Sequence, residues 1–169
     1  MRPAAGYIGS QADRELWVQE KVSFWTSAVT DLAFVALSHP QTAFAGLHKS
    51  LQHEWQFIQR VIDDIGDCFF ELEDAITNIF LPALYGESLK DCTYRRKLSA
   101  LHVKFAGLAI PDPSASFEEN FEASTLVSSQ LLAAFRGTES FSSTDHNAVR
   151  MAVGAELKSR RTVKLDSTL

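Results

Sequence analysis

Six carboxylates fall between positions 63 and 74: Asp63, Asp64, Asp67, Glu71, Glu73 and Asp74. Carboxylates at that density are what a two-metal phosphoryl-transfer site uses to hold its ions. Val61-Ile62-Asp63-Asp64 also imitates a hairpin in which two carboxylates sit at a tight turn between apolar strands. The flanks, however, carry a helical period, and no second strand pattern follows. Asp67, Glu71 and Asp74 therefore read as charges favourable to a helix first turn and as a solvated face, not as a metal site. No metal or cofactor is expected.

No nucleophile emerges either. The histidines are His39, His48, His53, His102 and His146, and none stands in an HExxH pattern or with a GxSxG serine. Cys92 lies near Arg95 and Arg96, but sequence neighbours alone do not activate a thiol. Cys68 and Cys92 are too few for a disulfide scaffold and too far apart for a CxxC site. A reducing, intracellular compartment is the expectation, with nucleus and cytoplasm unresolved.

A basic row is the remaining chemical feature. Arg95, Arg96, Lys97, His102 and Lys104 alternate with Tyr94 and Phe105, a pattern suited to phosphate contacts with stacking side chains beside them. A helix decorated with cations for solubility gives the same pattern. A second basic group runs from Lys158 to Lys164. Neither group selects a base sequence by itself. Over 169 residues the net charge is −5 and 46% of residues are hydrophobic, which fits a globular domain and excludes a uniformly basic nucleic-acid binder. No stretch approaches the roughly 18 apolar residues of a membrane span, and the first ten residues lack a leader pattern.

The elements that must hold these residues are helical. Pro40 to Ile65 reads as one long amphipathic helix whose seam is Phe44, Leu47, Leu51, Trp55, Ile58, Ile62 and Ile65, at three- and four-residue steps. Gly46 and Ser50 flank the seam and permit close approach. Lys49, Gln52, Glu54, Gln56, Gln59 and Arg60 form the expected wet face. Residues 11–38 form a helix with a seam of Val18, Val22, Trp25, Val29, Leu32 and Ala36, widened by Trp17, Phe24 and Phe34 into an arc that predicts burial on two sides. His39-Pro40 separates the two helices and should fold them back on each other. A helix from Asp67 carries Phe69, Leu72, Ile76 and Ile79 inward and should kink or end at Pro82. A shorter helix spans residues 90–101. Residues 107–113 form an extended, proline-punctuated link. Helices over 117–135 and about 145–161 follow, the first with a seam of Phe117, Phe121, Thr125, Ser128, Leu132 and Phe135.

Five segments in order resemble reverse transcriptases encoded by retrotransposons. They are Gly6-Tyr7-Ile8-Gly9, His39-Pro40-Gln41-Thr42-Ala43-Phe44, Leu51-Gln52-His53-Glu54-Trp55, Leu72-Glu73-Asp74-Ala75-Ile76 and Phe80-Leu81-Pro82-Ala83-Leu84. A sixth, Leu98 to Ile110, is similar to that family's leucine-proline-X-arginine-X-glycine-glycine-leucine-glycine segment. It departs from it in having His102 in place of proline, and Ala106 and Ala109 where glycines are common; Lys104 stands at the arginine or lysine position. The resemblance covers roughly residues 6–155.

The resemblance implies the region after the catalytic palm: the end of the primer grip, the helical thumb and its downstream connection. It implies a mostly α, multi-helix, bundle-like fragment with short extended segments near the start and at 107–113. The expected divisions are a truncated extended start at 1–10, a helical thumb-like core at 11–106, a link and helix at 107–137, and a polar loop with a basic helix at 138–169. The palm carboxylates would lie before Met1, so the isolated chain is expected not to polymerise DNA. Arg95, Arg96, Lys97 and Lys104 are the expected grip on an RNA–DNA or DNA duplex backbone. The competing expectation is a helical protein–protein interaction module, with self-association through exposed apolar surface as its simplest form.

Overall fold

A computed structural model describes residues 9–86 and 92–166, with the side chains of 92 and 161–166 left aside. The expected extended piece at Gly6 to Ile8, the helix start at Lys90, the Cys92 thiol and the cations Arg161 and Lys164 lie outside the described residues or side chains. Among the described residues the fold is mostly helical, in six helices, and no strand occurs.

Helix α1 is Gln11–Ala36. Ser10 starts it by accepting the Asp13 N–H at 3.3 Å, and so satisfies one of the donors that a helix N-terminus leaves free. Val18, Val22, Trp25, Val29, Ala33 and Ala36 are buried on one side. The expected second buried side does not exist: Phe24 is 63% exposed and Phe34 79%. The apolar arc is wide, but only the half facing α2 and α3 meets other helices.

Helix α2 covers residues 40–61 and consists of Pro40–Gly46, a wide π turn at Leu47–Leu51, and Gln52–Val61. Pro40 begins it, after His39 at φ −135 and ψ 66, outside the helical region. The π turn takes up an extra residue, so the successive four-residue steps Leu47, Leu51 and Trp55 stay on one face, and all three are buried. α1 and α2 fold back on each other, as the His39-Pro40 break requires. Gly46 lies against α1, where a Cβ would come within 3.1 Å of Leu32 Cδ2. Ser50 is exposed and takes no part.

The helix ends four residues before Ile65. Ile62 is extended, at φ −123 and ψ 130, and Asp64 is left-handed at φ 52. Asp63 and Asp64 thus occupy a connection and not the helix that the periodicity implied. Ile62 and Ile65 are still buried, although neither belongs to a helix.

Helix α3 covers residues 66–85, opening as a 3-10 turn at Gly66–Phe69. Pro82 neither ends nor breaks it. A second π turn, Ile76–Phe80, precedes the proline, and the Leu81 N–H reaches back to the Ile76 carbonyl. The widened turn removes the tight i to i−4 pairing that a proline ring would obstruct. Gly86, at φ 70, closes the helix.

Trp25, Trp55 and Phe69 join these three helices in the core. Trp55 lies edge-on to Trp25 with centroids 6.3 Å apart, and Phe69 stacks on Trp25 at 6.4 Å. Burial of side chains this large contributes about 2–3 kcal/mol each. Trp25 Nε1 donates to Glu54 Oε2 at 3.0 Å, so the indole enters the core without losing its hydrogen bond.

Helix α4 is Cys92–Ala100, α5 is Phe117–Phe135 and α6 is Ser143–Asp166. The first half of α5 packs on the second half of α2, and α6 packs on α5. The α5 seam is buried only at its start: Phe117 is 7% exposed and Phe135 88%.

Candidate nucleic-acid interface

The basic row sits on α4 and the turn after it. α4 packs against the π turn of α3, and this contact separates the four predicted cations. Arg96 faces inward and is 7% exposed. Its Nε donates to Glu73 Oε1 at 2.6 Å, its Nη2 to Glu73 Oε2 at 2.7 Å, and its Nη1 to the Ile110 carbonyl at 2.7 Å. A guanidinium engaged on three sides in the interior cannot reach a phosphate. Arg96 is therefore withdrawn from the predicted grip. One residue step on a helix is about 100°, so the neighbours of an inward Arg96 turn away from it. Arg95 is half-buried and Lys97 is exposed.

Lys104 lies in a 3-10 turn, Val103–Phe105, and is exposed. Its Nζ stands 4.4 Å above the Phe105 ring centroid, an attraction between a cation and a ring face. His102 shapes this turn: its Nδ1 accepts the Lys104 N–H at 3.2 Å, and its carbonyl accepts the Phe105 N–H at 2.8 Å. Tyr94 is 49% exposed and Phe105 39%. Lys97, Lys104, Tyr94 and Phe105 are therefore exposed members of the row, and Arg95 is half-buried. The two lysines can hold phosphate oxygens electrostatically, and the rings can stack against sugar or base faces.

The segment from 107 to 113 anchors the turn. The Leu108 and Ile110 N–H groups both donate to the Ser99 carbonyl, at 3.3 and 3.0 Å, and Ile110 is fully buried. Gln52 Nε2 donates to the Ala109 carbonyl at 3.3 Å and Gln59 Nε2 to the Pro113 carbonyl at 2.7 Å. Asn120 Nδ2 donates to Gln59 Oε1 at 2.8 Å. Gln52 and Gln59 were expected on the wet face of α2, and both are buried. The reason is the strap itself: a nonhelical segment brings unpaired carbonyls into the interior, and side-chain amides must meet them. One signal was present. Gln52, Trp55 and Gln59 continue the three- and four-residue stepping of the seam, which places both amides at its margin.

Alternative sites contribute less. Asp63 is bound by Arg14, and Gln11 Nε2 donates to Asp64 Oδ2 at 3.3 Å. Among the described residues, no group of three or more His, Cys, Asp or Glu side chains could hold a metal ion. His48 is half-buried against Phe44, and burial with Lys49 and His53 nearby holds its imidazole below the ordinary histidine range. Cys68 is half-buried, and burial together with the charges of Glu15 and Asp67 pushes its thiol up, which makes it a poorer nucleophile. A trough of about 380 Å³ opens between α1 and α3, with Gln19, Ser23, Phe70 and Glu71 on its walls. No described helix is long and apolar enough to cross a membrane.

No protein-family model, curated protein or solved structure matches the chain.

Proposed function

We propose that the chain is a non-catalytic segment of a retrotransposon-type reverse transcriptase, drawn from the thumb side, whose ancestral work was to grip a primer–template duplex. One observation carries this reading. The resembled segment has glycines at the positions of Ala106, Gly107 and Ala109, and each position has a backbone reason to want one. Ala106 is held at φ 62 and Ala109 at φ 53, in the left-handed region that favours glycine. A Cβ on Gly107 would lie 2.0 Å from the Leu101 carbonyl oxygen. A chain that carries alanine in two left-handed positions is well explained as a derivative of one that carried glycine there.

In this reading Lys97 and Lys104 contact the phosphate backbone, with Arg95 beside them, and Arg96 fixes the surface from within. The test is binding of a fluorescent RNA–DNA hybrid by the full chain over a range of salt. Two to three phosphate contacts give a log–log slope of roughly −2, and Lys97→Gln with Lys104→Gln weakens binding by about tenfold at low salt. Equal binding by the double variant would remove the assignment of this surface.

The second reading, a helical protein-interaction module without a nucleic-acid role, is favoured by the aromatic side chains exposed on the outer side of α1. It predicts no salt-dependent hybrid binding.

A further inference from the structure

The outer side of α1 carries a second seam, opposite the buried one. Leu16, Glu20, Phe24, Ser27, Asp31 and Phe34 follow one another at steps of four, four, three, four and three residues, and all six are exposed. Leu16, Phe24 and Phe34 are 58%, 63% and 79% exposed. Alternating steps of three and four are the spacing at which one helix receives another along its length.

The two carboxylates in this seam identify the occupant. A second copy of α1 laid antiparallel would bring Glu20 beside Asp31 of the other copy. Laid parallel, it would bring each carboxylate beside its own counterpart. Either register sets like charges together along an apolar line, which acts against self-pairing. The surroundings have the same sign: the trough beside the seam has Asp67 and Glu71 as its charged lining, next to the exposed Phe70. The nearby cation Lys21 is turned over the Trp17 ring at 5.5 Å, on the flank of the row.

We propose that this face of α1 docks an amphipathic helix of a partner protein. The partner's apolar side chains lie against Leu16, Phe24 and Phe34, and its lysines or arginines meet Glu20 and Asp31. Those carboxylates stand eleven residues apart, about 16 Å along the axis, so the matching cations recur every three turns. An acidic face of this kind repels nucleic acid, so the inference belongs to the protein-interaction reading and stands independently of the cation surface on α4.

The test uses the full chain and an 18-residue fluorescent helix of leucine and lysine. A leucine–glutamate counterpart and an order-scrambled leucine–lysine peptide serve as controls. The amphipathic leucine–lysine helix should bind, and the two controls should not. Glu20→Lys with Asp31→Lys should weaken binding by about tenfold or more, and Phe24→Ser with Phe34→Ser likewise. Glu118→Lys with Glu139→Lys makes the same change in net charge elsewhere and should alter binding less than about twofold. Lys97→Gln with Lys104→Gln should leave peptide binding unchanged. Equal losses from the two charge-reversal pairs, binding of the scrambled peptide, or no binding at all would overturn the proposal. So would a concentration-dependent dimer that Phe24→Ser with Phe34→Ser converts to monomer, because the occupant would then be a second copy.

Discussion

Glu73 and Arg96 meet through two parallel hydrogen bonds, of 2.6 and 2.7 Å, and the same guanidinium donates to the Ile110 carbonyl at 2.7 Å. The pair ties α3 to α4 and both to the strap. Thr77 Oγ1 supports it by donating to Glu73 Oε1 at 2.8 Å. Their side chains are 17% and 8% exposed, so removal of one partner leaves the other charged and little solvated. Arg96→Met is expected to lower unfolding stability by about 3 kcal/mol. Glu73→Leu added to Arg96→Met should restore part of the loss. Urea unfolding of the two single variants and the double variant checks both statements; independent, additive losses would refute the coupling.

The strap supplies a second prediction. Relief of left-handed alanine recovers about 1–2 kcal/mol, and the greater freedom of glycine in the unfolded chain takes back about 0.4–1. Ala106→Gly and Ala109→Gly should therefore each stabilise the fold, by up to about 1.6 kcal/mol, the opposite of a glycine placed within a helix. Gly107→Ala should destabilise it, because the added methyl meets the backbone of Leu101. Thermal unfolding of the three variants should separate them by sign.

Gln59 is fully buried and serves two partners, the Pro113 carbonyl and the Asn120 amide. Gln59→Leu keeps much of the volume but leaves that carbonyl and that amide without their partner, at a cost of about 2 kcal/mol. Gln56, on the same helix and half-buried, should tolerate leucine with less than about 0.5 kcal/mol of change. Equal effects at the two positions would mean that the strap is not held through Gln59.

His48 predicts a pH dependence. Burial first, then the charges of Lys49 and His53, hold its folded value below the ordinary histidine range. The unfolded chain therefore takes up the proton at a higher pH than the folded chain. The corresponding stability is fully present above the ordinary value and is lost as the pH falls from there through the folded value. His48→Gln should flatten part of the decline in urea midpoint as the pH falls below the ordinary histidine value. An unchanged pH profile would show that the loss arises elsewhere.

How much of this was legible in sequence differs from element to element. The helical seams of α1 and α2 were readable, because a three- and four-residue period is a property of neighbouring residues and survives whatever packs on it. The break at His39-Pro40 was readable for the same local reason. The end of α2 at Val61 was not, since Ile62 and Ile65 continue the period while leaving the helix. The ending that Pro82 suggested does not fall there: the helix runs on to Tyr85, and a π turn upstream accommodates the proline.

The candidate site divides along the same line. Local sequence determined a helical chain, a basic row on α4 and a nonhelical segment after Gly107. Only the tertiary structure decided which cations face outward, because that depends on Glu73, 23 residues away from Arg96 in the chain. It likewise decided that Gln52 and Gln59 belong inside, through carbonyls 57 and 54 residues distant. It also left the outer seam of α1 bare. Hydrophobic pattern records how much apolar surface a helix has; which part is covered depends on where the rest of the chain brings its own surfaces and its unpaired carbonyls.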